Sequence, residues 1–192
     1  MRILFTAKDF AGTPKRFSRR GFVLSLAAAT PAFLALKSAR AQGDVWHEYR
    51  PAGAPFRIDM PGQPEVDTEQ AIYQTEPQIK SVAATVEYEK AVFGVNWIQW
   101  RGNQTVERLS AAWRDATRLW GPVTRETPFS VEGFPARELI GGSDKFFYFI
   151  TRILVMGQET IQIFVNSPSD AGVHESPAAR RFIESFKLQS AR

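Results

Sequence analysis

The sequence predicts an α+β fold, a mostly antiparallel β-sheet with two main helices arranged as an α/β/α sandwich. Three observations carry this. Strand-like segments follow one another directly, separated by tight turns, which disfavours a doubly wound parallel sheet. Only two segments show helical periodicity, one in the middle of the chain and one near its end. Two of the strands, 91–100 and 145–156, are apolar on both faces, as expected where helices cover a sheet on both sides.

Trp46–Arg50 reads as a short strand and Pro51–Pro55 as a turn. Phe56-Arg57-Ile58-Asp59-Met60 alternates strictly, with Phe56, Ile58 and Met60 inward, and Pro61-Gly62-Gln63-Pro64 stops it. Residues 66–73 form a weaker, edge-type strand. In 79–89, Val82, Ala84, Val86 and Tyr88 share a dry face, while Ser81, Thr85 and Glu87 share a wet one. After a tight turn at Glu89-Lys90, the strand 91–100 sets Phe93, Val95 and Trp97 against Val92, Ile98 and Trp100.

The first helix follows, capped by Asn103 or Thr105, with Glu107 in its first turn. Val106, Leu109, Trp113, Ala116 and Trp120 form its apolar stripe, and Gly121-Pro122 ends it. A hairpin about Glu132-Gly133 joins 124–131 to 135–140. Gly141–Asp144 turns into the most apolar strand, 145–156, and Gly157-Gln158 turns into 160–166, with Ile161, Ile163 and Val165 inward. Ser176 caps the last helix with Pro177 at its first position, where a missing N–H costs nothing, and Ala179, Phe182, Ile183 and Phe186 form the buried stripe.

Composition sets further limits. The chain has 192 residues, 44% hydrophobic and 12% aromatic, which excludes a disordered chain. It has no cysteine, which excludes disulfides, thiolate metal sites and a cysteine nucleophile. The net charge of +4 is uneven. Residues 1–41 hold eight basic residues and Asp9, or +7, leaving 24 − 8 = 16 basic and 20 − 1 = 19 acidic residues, or −3, in 42–192. The basic balance belongs to the N-terminal segment, so nothing in 42–192 points to nucleic acid.

That segment resembles a twin-arginine signal peptide. Ser18-Arg19-Arg20-Gly21-Phe22-Val23-Leu24 carries the arginine pair, Arg19 and Arg20. Phe22–Leu36 is apolar but shorter than the roughly 17–25 residues of a spanning helix. Ala39-Arg40-Ala41 supplies a cleavage site. The resemblance implies residues 1–41 as a leader cleaved after Ala41 and 42–192 as a single domain. It also implies engagement of the twin-arginine translocation machinery, folding before export, and a periplasmic location with no membrane span once cleaved. An uncleaved anchor is the alternative.

The domain resembles a group of exported bacterial proteins of unassigned function. The resemblance rests on Trp46-x-x-Tyr49, the Phe56–Pro64 stop and the closing Phe182-Ile183-Glu184-Ser185-Phe186. It implies a Mog1/PsbP-like sandwich, whose known members bind proteins or act as assembly factors. No catalytic residue carries over.

Chemistry-bearing motifs are sparse. His47 beside Glu48 lies on a strand, where neighbours point apart. His174 sits in a polar loop and is expected to be solvated. Neither completes a metal site, and no dinucleotide, phosphate or haem motif implies a cofactor. No serine elbow is present, and Ser185 reads as packing. Asn103-Gln104-Thr105 fits a glycosylation sequon but is better read as helix capping. Polar groups on dry strands are the remaining candidates. Arg152 and Asn96 lie among apolar neighbours. Either Arg152 pairs with a carboxylate, or Arg152, Asn96, Trp97 and Trp100 line a ligand cleft. The expected function is a non-catalytic binding or assembly-support module with an envelope partner. A carrier of a hydrophobic ligand and a carboxylate-dependent hydrolase are the alternatives.

Overall fold

Two sheets carry the architecture. The computed structural model describes residues 45–68, 78–118 and 121–189. The leader with Arg19, Arg20, Ala39 and Ala41, most of the expected 66–73 strand, and Trp120 of the first helix lie outside the described residues. A small three-stranded sheet has the order β1-β2-β10: β1 (His47–Tyr49), β2 (Phe56–Met60) and β10 (Lys187–Leu188). The main sheet has seven antiparallel strands in the order β3-β4-β5-β9-β8-β7-β6. They are β3 (Glu65–Asp67), β4 (Gln78–Tyr88), β5 (Ala91–Trp100), β6 (Val123–Val131), β7 (Phe134–Gly142), β8 (Tyr148–Met156) and β9 (Glu159–Ser167). The helices are α1 (Val106–Thr117) and α2 (Pro177–Ser185). This is the α+β arrangement expected from the order of elements.

Alternation along β5 explains the layering. Phe93, Val95 and Trp97 join one core with β2 and with Phe182 and Ile183 of α2. Ile98 and Trp100 join a second core with Val106 and Leu109 of α1 and with Leu139, Phe149 and Ile153. The helices therefore cover opposite faces of one sheet. Phe182 meets Phe93 edge-on, ring centroids 5.4 Å apart. Phe56, Ile58 and Met60 are fully buried, as their alternation requires.

Two hydroxyl residues widen the α1 stripe beyond its apolar positions. Ser110 and Thr117 are fully buried. Ser110 Oγ donates to the Val106 carbonyl at 2.6 Å and Thr117 Oγ1 to the Trp113 carbonyl at 3.0 Å. A hydroxyl that bonds back four residues carries its partner with it into the core. Of the two candidate caps, Thr105 is the one used, its Oγ1 accepting from Arg108 N. Ser176 caps α2 as expected, and Ser185 stitches the helix end to β2, accepting from Asp59 N at 2.9 Å and donating to the Phe182 carbonyl at 2.7 Å. The loop after β9 is less polar in practice than in sequence. Val173 is buried in a 3-10 turn, and neighbouring His174 is only 20% exposed rather than solvated.

The β4–β5 turn places Glu89 at φ 47° and Lys90 at φ 65°. Left-handed backbone costs a residue with a Cβ about 1 kcal/mol or more, and Asn-Gly is the pair that suits this turn. Replacing Glu89-Lys90 by Asn-Gly is expected to raise stability by about 1 kcal/mol. A urea titration reads this as a higher midpoint at unchanged slope.

Candidate functional site

The polar side chains of the main sheet fall into two groups, one on each face. On the α2 face, Arg152 of β8 lies opposite Glu138 of β7. Its Nε donates to Glu138 Oε2 at 2.8 Å, and its guanidinium lies 5.1 Å from the Phe129 ring centre. Arg125 stands 3.8 Å from the same carboxylate. Arg152 thus has a carboxylate partner from the adjacent strand. Trp97 shares this face. Its Nε1 donates to Glu159 Oε2 at 3.1 Å, and Lys80 Nζ sits 4.6 Å from its ring centre.

Asn96 and Trp100 lie on the opposite, α1 face. Trp100 Nε1 donates to Thr160 Oγ1 at 2.9 Å. Asn96 Nδ2 donates to Gln162 Oε1 at 3.2 Å, directly across the β5–β9 ladder. The four residues expected to line one cleft are therefore split by the sheet into two pairs, Arg152 with Trp97 and Asn96 with Trp100. The period of two along a strand already separates Asn96 from Trp97.

Two features of the α1 face were not anticipated. The first is ionic. Glu126 of β6 accepts from Arg137 Nη1 at 2.6 Å and from Arg114 Nη1 of α1, and Arg137 Nη2 reaches Glu107 of α1 at 3.4 Å. These four residues bracket α1 against the β6–β7 hairpin. Burial opposes ionisation of Glu126, but the hydrogen bonds from Arg137 and Arg114 outweigh it, so its carboxyl titrates below the usual range. Beside the bracket, Arg114, Asp115, Arg118, Gly121, Pro122 and Val123 line a cleft of about 310 Å³.

A depressed folded pKa contributes stability that is complete above the unfolded value and is lost as pH falls through the folded one. Glu126→Gln is expected to cost about 1 kcal/mol at neutral pH, modest because the Arg114 partner is well exposed. The difference from the parent should shrink as the pH drops below the ordinary glutamate range, read by thermal melts across acid pH.

The second feature is uncharged. Ser81 Oγ, Gln162 Nε2, Thr151 Oγ1 and Asn166 Oδ1 are buried without a hydrogen-bond partner in the protein. By register all four lie on the α1 face, on β4, β9 and β8, around the Asn96–Gln162 bridge. Next to them the tip of the Phe164 ring lies over Gly94. A Cβ at position 94 would stand 2.2 Å from that ring, so any larger residue would require the ring to turn aside. The sequence did hold a signal for this group. Asn96 and Gln162 are amides flanked by apolar residues in two strands that are otherwise dry, but the pairing of β5 with β9 is needed to bring them together.

Among the described residues, no group of three or more His, Asp or Glu side chains is placed to hold a metal ion. His47 is exposed on β1. Glu48 is occupied by Arg57 at 2.5 Å and Arg50 at 3.0 Å, and those arginines lower its pKa. No helix among the described residues is long and apolar enough to cross a membrane.

No family model matches the chain, and no curated protein does. Its fold is similar to the solution structure of cyanobacterial PsbP (CyanoP) from Synechocystis sp. PCC 6803, with a TM-score of 0.53 at 8% identity. The match covers 77% of this chain and 95% of that one. At that identity the likeness establishes the fold alone, so the chain has a PsbP-like α+β architecture.

Proposed function

We propose that residues 42–192, freed of a twin-arginine leader by cleavage after Ala41, work in the periplasm as a non-catalytic binding module. The export half of this reading rests on the leader sequence: Arg19-Arg20, a short apolar run and Ala39-x-Ala41 in the order a secretory signal requires. The translocation machinery is the partner during export, and an envelope component is the partner afterwards.

The binding half rests on one observation, the unmatched polar groups buried on the α1 face of the sheet. Proteins seldom bury donors and acceptors without partners, so each of these groups calls for a partner that the described residues do not supply. By contrast, the carboxylates with resolved shifts, Glu48 and Glu126, are both held ionised by arginines. That is the setting of a structural ion pair and the reverse of a carboxyl raised to deliver a proton. On the α2 face the space between helix and sheet is filled by Phe93, Phe182 and their neighbours, which disfavours a hydrophobic carrier there.

Expression of the full chain in a bacterium with a working twin-arginine pathway tests the export half. The expected product is a periplasmic protein whose N-terminus is Gln42. Replacement of both Arg19 and Arg20 by Lys should leave the full-length chain in the cytosol. An unprocessed parent chain in the cytosol would refute this half of the reading.

A further inference from the structure

We propose that Pro128 keeps this protein from pairing with a second copy of itself along the open edge of its main sheet. That edge is β6, which pairs with β7 on one side and, among the described residues, with no strand on the other. It runs for nine residues, against three in β3 at the opposite end of the sheet. A long open edge is a template for another chain.

The hairpin turn fixes which backbone groups of β6 face outward. Glu132 lies at φ 50° and Gly133 at φ 86°, a two-residue turn closed by Val131 and Phe134. In such a turn the closing pair exchanges both backbone hydrogen bonds, and bonded pairs then alternate with unbonded ones. Thr127, Phe129 and Val131 therefore bond inward to β7, while Glu126, Pro128 and Ser130 aim their backbone groups away from it. Pro135, opposite Ser130, also falls in an unbonded pair, as a residue without an N–H must. Pro128 thus removes the central donor of the outward row.

The rest of this stretch suits pairing. Thr127, Phe129 and Val131 are good strand formers, and Phe129 and Val131 already lean on the α2-side core. Glu126 reaches α1 on the other face, so Pro128 and Ser130 share that face by alternation, and both are exposed. A second copy laid antiparallel about a two-fold axis at position 128 would set each Glu126 opposite Ser130 of the other copy and each Thr127 opposite Phe129. No like charges meet. At the centre, the two prolines would face each other. That pair loses both hydrogen bonds, and each ring carbon occupies the place of the missing hydrogen, against the facing carbonyl.

The test is sedimentation velocity of the purified protein over a range of concentrations. Position 128 stands opposite Arg137 in an unbonded pair, so Pro128→Thr leaves the β6–β7 ladder intact and is expected to melt at the parent temperature or above. Its mass should rise with concentration toward twice that of the parent. Adding Ser130→Asp sets two carboxylates opposite Glu126, one in each copy, and should weaken the dimer about tenfold, whereas Ser130→Lys in the same background should tighten it. Larger aggregates of Pro128→Thr that Ser130→Asp prevents would support the proposal equally. A Pro128→Thr protein with the parent's mass at every concentration overturns it. So does a dimer that responds alike to Asp and Lys at position 130, because it would not form along this edge.

Discussion

Phe182→Ala is expected to cost about 3–5 kcal/mol of folding stability, the range for emptying a fully buried aromatic site. Phe182 is completely buried and is the residue through which α2 meets the central strand, edge-on to Phe93. Removal of the ring opens a cavity bounded by β5 and β9 on one side and β2 on the other, because Phe56, Ile58 and Met60 share the same core. The closing segment depends on it as well. Ser185 Oγ holds the end of α2 to Asp59, and β10 pairs with β2 immediately afterwards. Urea denaturation should show the midpoint falling at unchanged slope. A loss below about 1 kcal/mol would mean that α2 is not the cover of this face.

Gly142→Ala is expected to be of similar size, about 3–4 kcal/mol, for a different reason. Gly142 sits at φ 127°, and a Cβ there would stand 2.4 Å from the Phe147 carbonyl oxygen and 2.5 Å from the Tyr148 Cα. Both obstacles are backbone, so no rotamer change relieves them. A second contact brings the segment after α1 against the end of β7, where Gly142 N donates to the Pro122 carbonyl at 3.1 Å. Strain at this point is passed to the end of α1 and to the cleft that Arg114 and Arg118 line. The expected readout is a lowered urea midpoint together with a changed near-ultraviolet spectrum from Trp113, which packs against Phe149. Parent-like stability would show that the turn through Phe147 and Tyr148 does not press so closely on Gly142.

These two sites also show what the sequence made legible and what it did not. Apolar alternation alone located Phe56, Ile58 and Met60 in the core, and the two-faced pattern of 91–100 identified the strand whose side chains enter both cores. Turn and cap chemistry located Glu89-Lys90, Glu132-Gly133 and Ser176-Pro177, because those signals are local. Strand pairing is not local. Nothing in the neighbourhood of Arg152 shows that Glu138 is its partner, since the register of β7 on β8 sets that contact. The bracket of Glu107, Arg114, Glu126 and Arg137 joins a helix to a hairpin and reads, in sequence, as four ordinary surface charges. The crowding at Gly142 arises within one turn, against Phe147 and Tyr148, whereas the close approach of Gly121 to Gly142 depends on where two distant backbones meet. The division of Asn96 and Trp97 between opposite faces was available from their adjacency. The burial of Ser110 and Thr117 was not legible, because their back-bonding to the helix carbonyls shows only in the folded structure.

The binding reading stands on the α1 face, where buried uncharged groups have no partner among the described residues. The most direct test is the native mass spectrum of the domain recovered from the periplasm, taken for the parent and for the Asn96→Leu, Gln162→Leu double variant in parallel. The parent is expected to carry additional non-covalent mass, and the double variant, equally folded, to travel without it. A bare parent protein, or the same bound mass on both, would contradict it.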